Sequence, residues 1–230
     1  HLPVILQNFS FCKKDIEQFQ PHAVILIDYP GFNLRIAKWT KQHGYKTIFY
    51  IAPQVWAWKE NRVKSMKQHI DKMLVILPFE KDYFEKKWNW QVEYVGHPLV
   101  KWIEQFQSTH NKRAEETIVA LLPGSRKQEI EKKLPLMLQV SNFFPDCKFV
   151  VAKATAVEDD FYNQFLEKYA NIFSVRNNTY ILLSQASAAL VTSGTATLET
   201  ALFDVPQVVC YKGSRISYFI GRRLIKVPYI

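Results

Sequence analysis

Ile118-Val119-Ala120-Leu121-Leu122-Pro123-Gly124-Ser125-Arg126 is the stretch whose reading decides the fold class. Its apolar run reads as a buried strand, Pro123-Gly124 ends it, and a helical pattern follows from Gln128 to Phe144. A second stretch repeats the plan: Ala188 to Thr192 reads as a strand, Ser193-Gly194-Thr195 as the turn, and Thr195 to Phe203 as the helix. Strand, glycine turn and helix in alternation are the signature of a parallel sheet with helices on its faces.

Outward from these two stretches, Lys148 to Ala152 and Gln207 to Tyr211 read as further strands and Asp159 to Tyr169 as a helix. Upstream the rhythm is the same. Strands are expected at Ala23 to Asp28, Thr47 to Ala52, Met73 to Leu77 and Val92 to Val95, with helices at Asn33 to His43, Lys59 to His69 and Phe79 to Trp88. The segment Gln107 to Glu116 is polar and aperiodic, which marks a linker. The expectation is an α/β protein of two such units: residues 1–107, a linker at 108–116, and residues 117–230. The chain starts at His1 without Met and stops after an apolar KVPYI, so both ends are expected to be incomplete.

Composition narrows the class. With 230 residues, 48% hydrophobic and 22% charged, the chain can bury a sizeable core. Its 7 Gly, 11 Pro and 3 Cys exclude a collagen, a disordered chain and a disulfide miniprotein. Cys12, Cys147 and Cys210 are odd in number and lack CxxC spacing, which predicts buried free thiols, a reducing compartment and no structural zinc. The longest apolar runs, such as Ala23 to Ile27, have five residues, against roughly 20 for a membrane-spanning helix. A net charge of +9 suits a nucleic acid, an anionic membrane surface or a phosphorylated ligand alike; the basic tail from Lys212 is equally well a solvated helix.

In open parallel sheets ligands bind beyond the carboxyl ends of strands, so the residues following each strand are the candidates. Gly124 and Ser125 open a helix whose amides would converge on an anion, and Arg126 could grip phosphate oxygens through its planar fork; an ordinary helix start with a solvated arginine is the plainer alternative. Ser193, Gly194 and Thr195 form the second such turn, and Glu199, about one helical turn further, could accept both hydroxyls of a ribose, or sit as a surface glutamate on a capped helix. Together the two turns suggest a nucleotide. Asp28 ends a very apolar strand and is expected in a partly dry setting suited to a general base, with helix capping as its alternative role; Asn33 has the better claim to the cap.

Gln54, Trp56 and Trp58 make an aromatic loop that could stack on a sugar or anchor at a membrane, or simply pack a strand on its helix. His97, after a strand, reads as structural. No HExxH or paired-histidine spacing suggests a metal, and Ser10, Ser125 and Ser193 lack a nucleophile elbow. Leu2, Val4, Ile5, Leu6, Phe9 and Phe11 crowd into an uncharged stretch followed by Lys13 and Lys14, which reads as an interfacial segment or as a core helix.

DYPGFN (28–33) with LRIAK (34–38), IAPQVWAW (51–58), ILPFE (76–80), VGHPL (95–99), LLPGSR (121–126), and SGTATLETAL (193–202) with VPQVV (205–209), in this order, closely resemble lipid-A-disaccharide synthases, inverting glycosyltransferases of the GT-B class in which two Rossmann-like domains face a cleft. The resemblance runs from about Phe19 to the C-terminus. It implies transfer of 2,3-diacylglucosamine from its UDP derivative to 2,3-diacylglucosamine 1-phosphate, giving a β-1,6-linked lipid A disaccharide. It also implies a peripheral enzyme on the cytoplasmic face of a bacterial inner membrane, an acceptor-binding first domain and a UDP-sugar-binding second one, no metal or cofactor, no nucleic acid partner, and a possible homodimer. Asp28 falls on the family's essential aspartate, Arg126 on the PGSR arginine and Glu199 on the nucleotide-contacting carboxylate. Gly31 stands where many members carry a second acid, and the family's N-terminal glycine and serine loop and C-terminal Leu-Pro-Asn stretch are missing, so the 230 residues are expected to be less than the active protein. Another GT-B enzyme or a sugar-nucleotide epimerase would share the nucleotide turns without PQVWAW; a basic nucleic-acid-binding protein would explain the charge but not the turns.

Overall fold

A computed structural model of the chain describes residues 2–110 and 116–211. The chain divides into two compact units between Pro98 and Leu99.

The first unit begins with helix α1 (Leu2–Phe19) and alternates β1 (Ala23–Ile27), α2 (Pro30–Gln42), β2 (Lys46–Tyr50), α3 (Arg62–His69), β3 (Lys72–Val75), α4 (Pro78–Asp82) and β4 (Glu93–Tyr94). Among the described residues its four strands are all parallel, in the order β1-β2-β3-β4, with Ile25 beside Ile48, Phe49 beside Met73 and Val75 beside Tyr94. Val24, Leu26, Phe49, Met73 and Val75 point to the buried core, whereas Ile25 and Ile27, one residue out of step, are exposed. Helix α4 runs on into a single π-helical turn, Tyr83–Lys87, so the expected helix from Phe79 to Trp88 is present in two parts. Helix α3 starts later than Lys59, whose backbone is left-handed at φ 54° and cannot join a right-handed turn.

Helix α1 divides the N-terminal segment between core and surface; the side chain of Leu2 lies outside the described residues. Ile5, Phe9, Cys12 and Ile16, spaced to share one helical face, pack into the core, and Phe9 stacks on Phe32 at 4.2 Å with the Arg35 guanidinium 5.6 Å from its ring. Ile5 and Phe9 therefore belong to the core and not to an interfacial face. Val4, Leu6 and Phe11 lie outward and exposed; Lys14 is exposed too, and the Lys13 ammonium sits 5.7 Å from the Trp39 ring.

The second unit opens with α5 (Pro98–Thr109) and continues through β5 (Ile118–Leu122), α6 (Lys127–Val140), β6 (Lys148–Lys153), α7 (Asp159–Leu166), β7 (Ile172–Arg176), α8 (Thr179–Gln185), β8 (Ala188–Thr192), α9 (Thr195–Leu202) and β9 (Gln207–Cys210). Its five described strands are all parallel, in the order β7-β6-β5-β8-β9. Both faces are covered: Ala120, Leu122, Val150 and Val191 enter one core, and Leu121, Phe149 and Val151 enter the other. That is why these strands read as unbroken apolar runs.

The domain boundary expected at residue 107 moves back to Pro98. Helix α5 inserts Leu99, Ile103 and Phe106 into the second unit's core, and the Gln107 side chain donates a hydrogen bond to the Leu202 carbonyl at 3.4 Å. Residues 111–115 of the expected linker, and the basic tail from Lys212, lie outside the described residues. Cys12, Cys147 and Cys210 are free but half-buried, a correction to the expectation of full burial. Among the described residues no helix is long and apolar enough to cross a membrane.

Candidate active site

In the second unit the chain runs from β5 outward to β6 and β7, then returns to place β8 and β9 on the other side of β5. The strand order therefore reverses between β5 and β8, the place where an open parallel sheet offers a crevice to ligands. The two glycine turns leave from the carboxyl ends of these two strands, and they line one pocket of about 480 Å³.

On the β5 side, Gly124 takes φ 114°, a backbone state that side chains rarely allow. A Cβ there would also lie 2.7 Å from Glu129 Oε2 and 3.0 Å from Glu129 Cβ. Arg126, with extended backbone, immediately precedes α6 and offers no capping oxygen. Glu129, in the first turn of α6, supplies the acceptors instead: the Ser125 N–H donates to Oε2 at 3.3 Å, and Arg126 Nη1 donates to Oε1 at 3.2 Å. The Arg126 side chain remains 81% exposed. A backbone amide and a guanidinium thus converge on one carboxylate, donors of the kind that suit an anionic oxygen.

On the β8 side, Gly194 takes φ 142°, and the Thr197 hydroxyl donates to its carbonyl at 2.7 Å. Thr192, the last residue of β8, lines the pocket with only 5% of its surface exposed, and its Oγ1 has no hydrogen-bond partner among the described residues. Glu199 faces the same pocket from α9, and the Tyr180 hydroxyl donates to its Oε1 at 2.8 Å. From the end of β6, Lys153 completes the lining and pairs with Asp159 at 2.8 Å. The pocket thus unites Gly124, Ser125, Arg126, Ser193, Gly194, Thr195 and Glu199, all seven residues expected to hold a nucleotide. Glu129, Lys153, Thr192 and Tyr180 were not among them.

Asp28, Gln54 and Trp56 belong to the first unit, at the carboxyl ends of its strands. Asp28 and Tyr29 are left-handed in succession, at φ 48° and 45°, a local strain that recurs at functional loops. Asp28 is exposed, not partly dry as expected, in the turn between β1 and Pro30, which opens α2. Asn33 is not the helix cap either: α2 starts three residues before it, and its side-chain amide donates to the Ile27 and Asp28 carbonyls at 3.0 and 2.7 Å. That clamp holds the strand end in its strained turn.

Trp56 is half-buried, edge-on to Phe79 at 5.0 Å, and its Nε1 donates to Glu80 Oε1 at 3.2 Å. Glu80 is buried and also accepts from the Leu77 and Ile76 amides at 3.0 and 3.3 Å; burial outweighs these bonds and pushes its carboxyl above the usual range. The tryptophan loop and ILPFE are therefore one tied assembly, while Gln54 and Trp58 are exposed. Burial lowers the pKa of His97.

The profile of the family described as Lipid-A-disaccharide synthetase matches residues 1–230. The chain belongs to this family. It is 39% identical over 238 residues to the lipid-A-disaccharide synthase of Syntrophus aciditrophicus (strain SB), covering 98% of the chain and 62% of that relative. To lipid-A-disaccharide synthase 1 of Legionella pneumophila (strain Paris) it is 38% identical over 245 residues, covering 100% of the chain and 62% of the relative. The chain therefore spans less than two thirds of the length of these synthases. Among solved structures, the S. aureus MnaA-UDP co-structure is similar with a TM-score of 0.67 at 9% identity, over 97% of the chain and 66% of that structure, a likeness of fold alone. The α/β fold of parallel sheets expected from the resemblance is the fold of the family member described here.

Proposed function

We propose that the second unit's pocket holds the UDP portion of UDP-2,3-diacylglucosamine, and that the protein containing this chain transfers the diacylglucosamine to 2,3-diacylglucosamine 1-phosphate. The observation that carries the reading is the convergence, at one strand-order reversal, of two glycine turns, an exposed arginine and a carboxylate one helical turn away. The named synthases among the relatives support the reaction, and a UDP co-structure among the similar folds supports the nucleotide.

A phosphate seated on the Ser125 amide and Arg126 takes the place of the Glu129 carboxylate. Glu199 accepts from the ribose hydroxyls. In the transfer, the 6-hydroxyl oxygen of the acceptor attacks the anomeric carbon as the bond from that carbon to the UDP oxygen breaks, inverting the centre. The departing UDP gains negative charge, which Arg126 and the turn amides stabilise. The hydroxyl proton passes to Asp28, whose exposed carboxylate is open to an acceptor. Both lipids are anionic, so the excess of 30 basic over 21 acidic residues favours docking on the membrane surface that holds them, with Val4, Leu6 and Phe11 as the exposed apolar contacts of α1.

The test is incubation of the full-length protein with both lipids and mass detection of the disaccharide 1-phosphate. Wild type forms it together with UDP; Asp28→Asn melts at the same temperature and turns over about 100-fold more slowly. No product from wild type, or equal use of acyl-free UDP-glucosamine, would overturn the proposal.

A further inference from the structure

Tyr180 lies at the start of α8, a helix of the second unit that follows β7. Its ring packs edge-on to Phe106 at 5.6 Å and tilted on Phe203 at 5.3 Å, so its position is set by the core. Its hydroxyl leaves that core in one direction, toward Glu199 Oε1 at 2.8 Å. Glu199 lines the pocket and Tyr180 does not. Oε2 of Glu199 has no partner among the described residues, so the tyrosine fixes one carboxylate oxygen and leaves the other available.

Resting on the nucleotide reading above, we infer that Tyr180 is a positioning residue for ribose recognition: its hydroxyl holds the Glu199 carboxylate in the orientation that accepts the 2′- and 3′-hydroxyls of the nucleotide. A glutamate on a helix has three rotatable side-chain bonds, and locking them before the ligand arrives removes an entropic cost from binding. Burial and the neighbouring Glu199 push the Tyr180 phenol up to about 12, so it remains a donor throughout the neutral range.

The experiment is calorimetric titration of wild type and Tyr180→Phe with UDP and with 2′,3′-dideoxyuridine diphosphate, together with melting temperatures. Phenylalanine preserves the packing on Phe106 and Phe203 and removes only the donor. Wild type should prefer UDP by roughly 10- to 150-fold, the range for hydrogen bonds to a charged group. Tyr180→Phe should bind UDP about tenfold more weakly, bind the dideoxy nucleotide as wild type does, and melt within a few degrees of it. In a double-mutant cycle with Glu199→Gln the two losses should be markedly less than additive, because both act on one contact. Equal weakening toward both nucleotides, or losses that simply add, would show that Tyr180 acts through the fold and overturn the inference. A wild type that binds UDP without preferring it to the dideoxy form, or binds neither, would instead overturn the placement of ribose at Glu199 on which the inference rests.

Discussion

Replacing Arg126 by alanine separates folding from binding with little ambiguity. The side chain is 81% exposed, and its described contact is the Glu129 ion pair at 3.2 Å, three residues along the same helix start. Pairs of that kind contribute about 0.2 to 0.5 kcal/mol. Arginine supplies no capping oxygen where α6 begins, so alanine removes none. In a chain of this length the melting temperature should therefore fall by no more than ~2 °C. In the proposed complex the same side chain would donate a charge-assisted hydrogen bond to a phosphate, worth about 1.5 to 3 kcal/mol, or roughly 10- to 150-fold in affinity. Calorimetry with UDP at about 0.1 M salt reads the loss directly. Arg126→Lys, which keeps the charge but not the planar fork, should fall between the two. Unchanged UDP affinity in folded Arg126→Ala, or a collapse in melting temperature, would refute the assignment.

Two further outcomes follow from the first unit. Phe9→Ser, at a position 9% exposed and stacked on Phe32, should cost about 3 to 5 kcal/mol of stability in denaturant unfolding. Leu6→Ser with Phe11→Ser, both outward on α1, should leave stability within about 0.5 kcal/mol per site while weakening sedimentation with anionic liposomes; retained liposome binding would remove α1 from the membrane account. For Asp71, burial alone would raise the carboxyl, but hydrogen bonds from Lys41 and from the Thr47 amide at 2.8 Å, with the Lys41 and Lys46 charges, hold it below the ordinary value. A carboxyl depressed in the folded state stabilises above its unfolded pKa of about 3.9 and loses that contribution as pH falls through the folded value. Asp71→Asn should therefore flatten the loss of urea resistance below about pH 4; an unchanged acid limb would contradict the pairing.

The sequence shows the second unit's pocket well because its signals are local. Gly124 and Gly194 each follow an apolar strand and precede a helix, and seven expected residues meet on one lining. Contacts made across elements were not legible. Tyr180 and Glu199 come from separate helices, and nothing in NNTYILL shows where a phenol will point. The strand Ile172–Arg176 and helix α8 are not legible in the sequence, since IFSVR is short, lies at a sheet edge and has two polar residues in five. Helix α5 shows why the boundary slipped: Leu99, Ile103 and Phe106 make an apolar face, but periodicity does not say which core receives it. At Asp28 the apolar strand before it suggests burial, yet the residue sits exposed in a left-handed pair with Tyr29.

The most direct test of the central claim is amide hydrogen exchange of the protein with and without saturating UDP. The account predicts added protection in the turns at residues 121–129 and 192–202, where the amides and Glu199 meet the ligand, with residues 2–98 changing little. Unaltered exchange in both turns, or protection confined to residues 2–98, would contradict a UDP site at the β5 and β8 strand ends.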